Sequence, residues 1–197
     1  MRNTRKVRNR SNLGSVILII LVISIAFGFV FDFVVSKIEY AVYPKPEEYS
    51  GYVEKYSNEF GVPEDLVWAV IKTESGFDAS AVSGAGAVGL MQLTELTFYE
   101  ISHYRLKDGY DAGMRYDPAT NIRYGTYYLS HLHARYGDWD TALAAYNAGL
   151  GNVDEWLGES DKINVKNIPF KETRDYVKKV NKAQEKYKEL YSSQNKK

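Results

Sequence analysis

The hydrophobic pattern changes character twice along the chain. Residues Leu13 to Phe31 form an uncharged run of nineteen positions rich in Ile, Val, Leu and Phe. At about 1.5 Å per residue that run nearly spans a hydrocarbon core of roughly 30 Å. Val34 and Val35 extend it past Asp32, so residues 13–36 read as one transmembrane segment. Residues 37–50 include Pro44 and Pro46 and read as a short stiff linker. From there to residue 191 the spacing is helical.

"YSGYVEKYSNEFG" predicts a helix ending near Gly61. "VPEDLVWAVIKTESG" predicts a second, with Pro63 at the first helical position, Glu64 and Asp65 in the first turn and Gly76 as the stop. "LMQLTELTFYEISH" predicts a third. "NIRYGTYYLSHLHARYG" predicts a fourth, capped by Asn121. "DTALAAYNAG" is a small-residue helix closed by Gly149, and "GNVDEWLG" adds a turn. "KETRDYVKKVNKAQEKYKELY" carries Tyr176, Val177, Val180, Ala183, Tyr187 and Leu190 on one stripe. No alternating strands and no internal repeat are visible, which predicts a mainly α domain over residues 51–191. The tail "SSQNKK", residues 192–197, reads as disordered.

Charge sets the expected orientation. Net charge is zero over 197 residues, but Arg2, Arg5, Lys6, Arg8 and Arg10 fall in residues 1–12 without an acidic neighbour. The positive-inside rule makes residues 1–12 a cytoplasmic basic segment and puts everything after residue 36 outside. A cleaved signal peptide competes with this reading, but "DFVVSKIEYAVYP" lacks a small-x-small cleavage site. An uncleaved, single-pass anchor in the cell membrane follows. Beyond residue 36 the chain holds 20 basic and 24 acidic residues, so no nucleic-acid groove is indicated. The absence of cysteine excludes disulfides and thiolate chemistry. The three histidines, His103, His131 and His133, make no metal-ligand spacing, so neither a metal nor a cofactor is expected.

Glu74 is the residue that stands out. On a helical wheel, Leu66, Val67, Val70 and Ile71 span about 140°, and Glu74 falls near the middle of that arc. A carboxyl on a buried stripe is desolvated, which raises its proton affinity toward that of a general acid. A glutamate in a final turn that reaches solvent fits the same spacing. Downstream, Gly84, Gly86 and Gly89 spell G-x-G-x-x-G. A dinucleotide site needs a strand before that turn, and here a helix and a polar turn precede it. The glycines are better read as allowing a tight turn or a close ligand approach.

Three blocks then resemble the soluble lytic transglycosylase (SLT) family, relatives of goose-type lysozyme. They are "ESGFDASAVSGAGAVGLMQL", "YDPATNIRYGTYYLSHLHARYGDWDTALAAYNAGLGNV" and "IPFKETRDYV", in family order over about residues 50–180. Two departures occur: Leu93-Thr94-Glu95-Leu96-Thr97 stands where many members read Leu/Ile-Met-Pro-x-Thr, and Leu150 stands where Pro is frequent. The resemblance implies a lysozyme-like helical fold. It also implies cleavage of peptidoglycan between N-acetylmuramic acid and N-acetylglucosamine with a 1,6-anhydro product. Glu74 would be the general acid and then base, without metal or cofactor. Ser83, Gln92, Tyr146, Asn147, Glu172 and Tyr176 would bind substrate, with the Tyr146 hydroxyl orienting Glu74. A hydrolase using Asp78, Glu95 or Asp117 as second carboxylate, and a non-catalytic wall-binding scaffold, are the alternatives. Nothing in the sequence identifies a protein partner.

Overall fold

The computed structural model describes residues 12–191, so the expected basic segment (apart from Asn12) and the expected disordered tail lie outside the described residues. The chain divides into two compact units, up to Val42 and from Tyr43. The first holds one helix, α1 (Asn12–Val42), whose side chains from residue 14 to residue 35 are all exposed. Gly14–Val42 is long and apolar enough to cross a membrane. The helix does not stop at residue 36, because "KIEYAV" contains no Gly or Pro and the first breaker is Pro44. The next helix starts at Glu47, so only residues 43–46 of the expected linker are non-helical.

The second unit is built from α2 (Glu47–Phe60), α3 (Glu64–Glu74), α4 (Glu95–Glu100), α5 (Pro118–Tyr136), α6 (Trp139–Ala148), α7 (Leu150–Leu157) and α8 (Lys171–Tyr191). A π-helical turn at Ile101–Arg105 continues α4, and short 3₁₀ turns cover Ala112–Tyr116 and Val165–Asn167. Among the described residues there is no β-strand, only isolated bridges joining Val82 to Val88 and Val88 to Leu93.

α3 is the central element. Leu66 to Ile71 are all buried, so the helix is enclosed on every side and not along the expected arc alone. α8 and α2 pack against it, while α5 packs on α2 and α6. α6 supplies Ala142, Ala144 and Ala145 at these contacts, where small side chains let backbones approach. α8 buries Tyr176, Val177, Val180, Ala183 and Tyr187, matching the stripe expected for it.

Helix starts follow one device more often than the sequence suggested. Asp117 and Asp138 each accept from the backbone N and hydroxyl of the Thr three residues on, at 2.7–3.0 Å, capping α5 and α6. α5 therefore begins at Pro118, and Asn121 is not its cap but a buried residue inside it. Pro63 likewise precedes the first helical residue of α3. The helix after the glycines starts at Glu95 and not at Leu90, because Gly89 (φ +80°) and Gln92 (φ +48°) adopt left-handed backbone. α7 is a full two turns where one was expected.

Candidate active site

Glu74 is the last residue of α3. Directly after it Ser75 Oγ donates back to the Ile71 carbonyl at 3.1 Å. Gly76 (φ +59°) and Phe77 (φ +75°) then turn the chain sharply away, with the Phe77 ring against buried Trp68. The carboxyl is left at the end of a buried helix, largely out of water. Burial pushes its pKa up to about 7, and a hydrogen-bonding interaction with Tyr176 works in the opposite direction. At pH 7 about half of the groups therefore carry a proton.

Two tyrosines share this environment. Tyr176, from α8, is buried and its hydroxyl meets no partner at ideal hydrogen-bonding geometry. It and Glu74 nevertheless perturb each other, since burial and the Glu74 charge hold the Tyr176 proton on well above the usual range. Tyr146, from α6, is raised in the same direction, first by burial and then by Glu74. Its hydroxyl donates to the Met91 carbonyl at 2.7 Å. Its single proton is thus committed to the loop. Toward Glu74 it then stands as an acceptor or as a neutral neighbour, able to receive a hydrogen bond from the protonated carboxyl but not to donate one.

The loop carrying Met91 is gripped from the α5 side. Asn121 Oδ1 accepts from Met91 N at 2.7 Å, while its Nδ2 donates to the carbonyls of Val88 (3.0 Å) and Arg115 (2.7 Å). Gly89 makes this possible, because a Cβ there would sit 2.4 Å from Asn121 Nδ2 and 2.8 Å from the Arg115 carbonyl. Gly125 does the same for the Met91 side chain, whose Sδ would lie 2.4 Å from an added Cβ. The sequence reading missed Asn121 and Gly125 as site-building residues. A polar residue beside Ile122, within an apolar helical pattern, was the available signal.

The remaining expected residues are placed as follows. Ser83 Oγ accepts from Ala87 N at 3.0 Å and holds the glycine turn closed. Gln92 Nε2 donates to the carbonyls of Ala81 (3.1 Å) and Gly89 (3.0 Å), and among the described residues its Oε1 accepts no hydrogen bond. Asn147 Oδ1 accepts from Thr173 Oγ1 at 2.8 Å, tying the end of α6 to the first turn of α8. Glu172 is exposed in that first turn. The G-x-G-x-x-G stretch follows a helix and a turn, and α4 begins only after it, so it lacks the strand–turn–helix setting of a nucleotide site. At the first departure from the family pattern, Thr94 accepts from Thr97 N at 3.2 Å and caps α4 without a proline.

The three carboxylates considered for a hydrolase are each engaged locally. Asp78 is exposed and accepts from Ser80 N and Oγ (2.8 and 2.7 Å), hydrogen bonds that lower its pKa. Glu95 pairs with Arg115 at 3.4 Å, and Asp117 caps α5. Among the described residues no group of three or more His, Asp or Glu is arranged to hold a metal ion.

Comparison with known proteins fits this arrangement. A family model described as the transglycosylase SLT domain matches residues 51–169. The soluble lytic murein transglycosylase of Escherichia coli K12 is 37% identical over 142 residues, covering 68% of this chain and 22% of that protein. The protein of the same name from Salmonella typhimurium is 35% identical over the same length and shares. The chain thus spans about a fifth of the length of these curated relatives. The crystal structure of the 70-kDa soluble lytic transglycosylase from Escherichia coli superposes with a TM-score of 0.67 at 35% identity, covering 72% of this chain and 24% of that one. That of an inactive Glu-to-Gln mutant of the lytic transglycosylase Slt from Pseudomonas aeruginosa gives 0.66 at 32%, covering 78% and 25%. A complex of the 70-kDa enzyme with bulgecin A gives 0.68 at 36%, covering 74% and 25%. The second unit has the lysozyme-like helical fold expected for it, and the chain belongs to the transglycosylase SLT domain family.

Proposed function

We propose that this chain is a peptidoglycan lytic transglycosylase that cleaves the bond between N-acetylmuramic acid and N-acetylglucosamine and leaves 1,6-anhydromuramic ends. The observation that carries the reading is Glu74: a lone desolvated carboxyl with a pKa near 7, beside two tyrosines that stay neutral. Protonated Glu74 donates to the bridging oxygen as the C1–O4 bond breaks. The carboxylate so formed takes the proton of the muramic acid C6 hydroxyl, whose oxygen bonds to C1. Glu74 ends protonated, as it began, and no water is consumed. A single carboxyl suffices, unlike the opposed pair of ordinary glycosidases. The local commitments of Asp78, Glu95 and Asp117 favour this route over hydrolysis. That a Glu-to-Gln change is present in an inactive relative supports the same residue type at the centre.

In this reading Ser83 and Gln92 hold the loop and offer the sugar the Ser83 hydroxyl proton and Gln92 Oε1. Tyr146 and Asn147 fix the loop and the α8 turn, and Glu172 is the exposed hydrogen-bonding group at the start of α8. Residues 1–12 lie in the cytoplasm, α1 anchors the chain in the cell membrane, and the domain beginning near residue 51 works on the wall outside. Mass spectrometry of purified sacculi after digestion tests the chemistry. Anhydro ends are expected, and reducing muramic ends would sink the transglycosylase reading. Glu74→Gln should abolish release of either product.

A further inference from the structure

A cavity of about 280 Å³ lies on the α3–α8 face and is lined by Tyr43, Lys72, Thr73, Lys179, Lys182 and Ala183. Three of its six lining residues are cationic and none is acidic. Lys179 and Lys182 stand at i and i+3 on α8 and so share one side of the helix. Lys171, Lys186 and Lys188 on the same helix each hold a carboxylate, whereas among the described residues Lys179 and Lys182 enter no ion pair. Lys72 lies with its Nζ 4.9 Å from the centroid of the Tyr43 ring, and burial lowers its pKa. Thr73 Oγ1 donates to the Ala69 carbonyl, so it contributes wall and not a donor. The lining is thus a largely apolar surface that carries lysines and no acid, which suits an anion attached to an apolar body. By contrast, the larger cavity of about 470 Å³ beside α2 mixes Lys55 and Arg123 with Glu59 and Asp117.

The position of Tyr43 narrows the source of the anion. Tyr187 Oη donates to the Pro44 carbonyl at 3.0 Å and Tyr191 Oη to the Tyr43 carbonyl at 2.9 Å, so α8 holds the residues that follow α1. Gly14–Val42 is 29 residues, or about 44 Å of helix. A bilayer with its headgroups is roughly 40–45 Å thick. A helix of that length is long enough to run from one headgroup layer to the other, and Tyr43 is the next residue. Tyrosine is itself favoured at that level.

We propose that this pocket binds the phosphate of an anionic lipid headgroup in the outer leaflet, with Lys179 and Lys182 as its donors. The inference rests on the anchor reading of α1. The lipid's charge is worth about a factor of five per lysine.

The test uses the full chain in an uncharged detergent, offered equimolar phosphatidylglycerol and phosphatidylcholine and read by native mass spectrometry. Preferential retention of phosphatidylglycerol is expected. Lys179→Gln with Lys182→Gln should lower that preference by roughly 25-fold. Lys162→Gln with Lys166→Gln, the same charge change on an exposed loop, should leave it unchanged. Both double variants should digest sacculi like the parent, which shows that they fold. Equal retention of the two lipids, or equal loss in both double variants, would overturn the pocket. So would displacement of phosphatidylglycerol by a soluble poly(glycerol phosphate) at equal phosphate, which would name a wall polymer as the ligand. Alkaline carbonate extraction of membranes tests the anchor separately. Release of the chain there would remove the lipid source, while sacculus digestion reports on Glu74 alone.

Discussion

Replacing Glu74 with Gln should make the protein more stable at alkaline pH and leave it nearly unchanged in acid. The folded protein holds the Glu74 proton with a pKa of about 7 against an ordinary value of 4.5. Between those values the folded state binds a proton that the unfolded chain releases. The stability associated with this group is therefore fully present below 4.5, declines as pH rises, and is lost above 7. At 1.36 kcal/mol per pH unit, the gap corresponds to about 3 kcal/mol. Gln is close to the protonated carboxyl in shape and does not titrate, so the variant escapes the loss. For a domain of this size each kcal/mol moves the melting temperature by about 2–4 °C. The variant should thus melt roughly 6–12 °C above the parent at pH 8 and within a degree or two of it at pH 4. Differential scanning calorimetry of both proteins from pH 4 to 8 measures this, and other titrating groups cancel in the difference. A constant offset across that range, or a difference that shrinks as pH rises, would show that Glu74 is solvated and refute the reasoning.

Three further outcomes follow from the same geometry. Tyr176→Phe removes an interaction that lowers the Glu74 pKa; because that hydroxyl makes no well-formed hydrogen bond, the alkaline limb of the pH–rate profile should move up by only a fraction of a pH unit. Stability should hardly fall, because the lost hydroxyl is buried without a well-formed partner. Asn121→Ala leaves Met91 N and the Val88 and Arg115 carbonyls without their shared partner. It should cost about 3 kcal/mol and lower kcat through a loosened loop, visible as a lower urea midpoint with unchanged m-value. Gly125→Ala drives a methyl into Met91 and should cost about 1–3 kcal/mol, with Met91→Ala restoring part of the loss in a double-mutant cycle.

What could be read ahead of the structure separates cleanly by the range of the contacts involved. Helix periods, the stripe of α8 and the place of Glu74 on the α3 arc depend on neighbours within two turns, and those spacings are written directly in the chain. The full enclosure of α3 was not legible, because Trp68 and Ala69 are buried by α2 and α8, which meet only in the folded molecule. Asn121 shows the limit most clearly. Its residue type and its place after a polar turn favour a helix cap, and the local rule is sound. Asp117 takes that role four residues earlier because Pro118 suits the first helical turn and Thr120 supplies two donors. Asn121 is thereby moved one turn inward, where an amide without partners would be costly. The glycine loop, about thirty residues away, and the nearby Arg115 carbonyl supply those partners. Gly84, Gly86 and Gly89 looked alike in sequence, but only Gly89 leaves room for the Asn121 amide. The same chain of contacts runs through Met91 to Tyr146, whose hydroxyl holds the loop by donating to the Met91 carbonyl. The residue left to tune Glu74 is Tyr176, whose position on α8 was plain from its spacing and whose effect depends on α3 ending where it does.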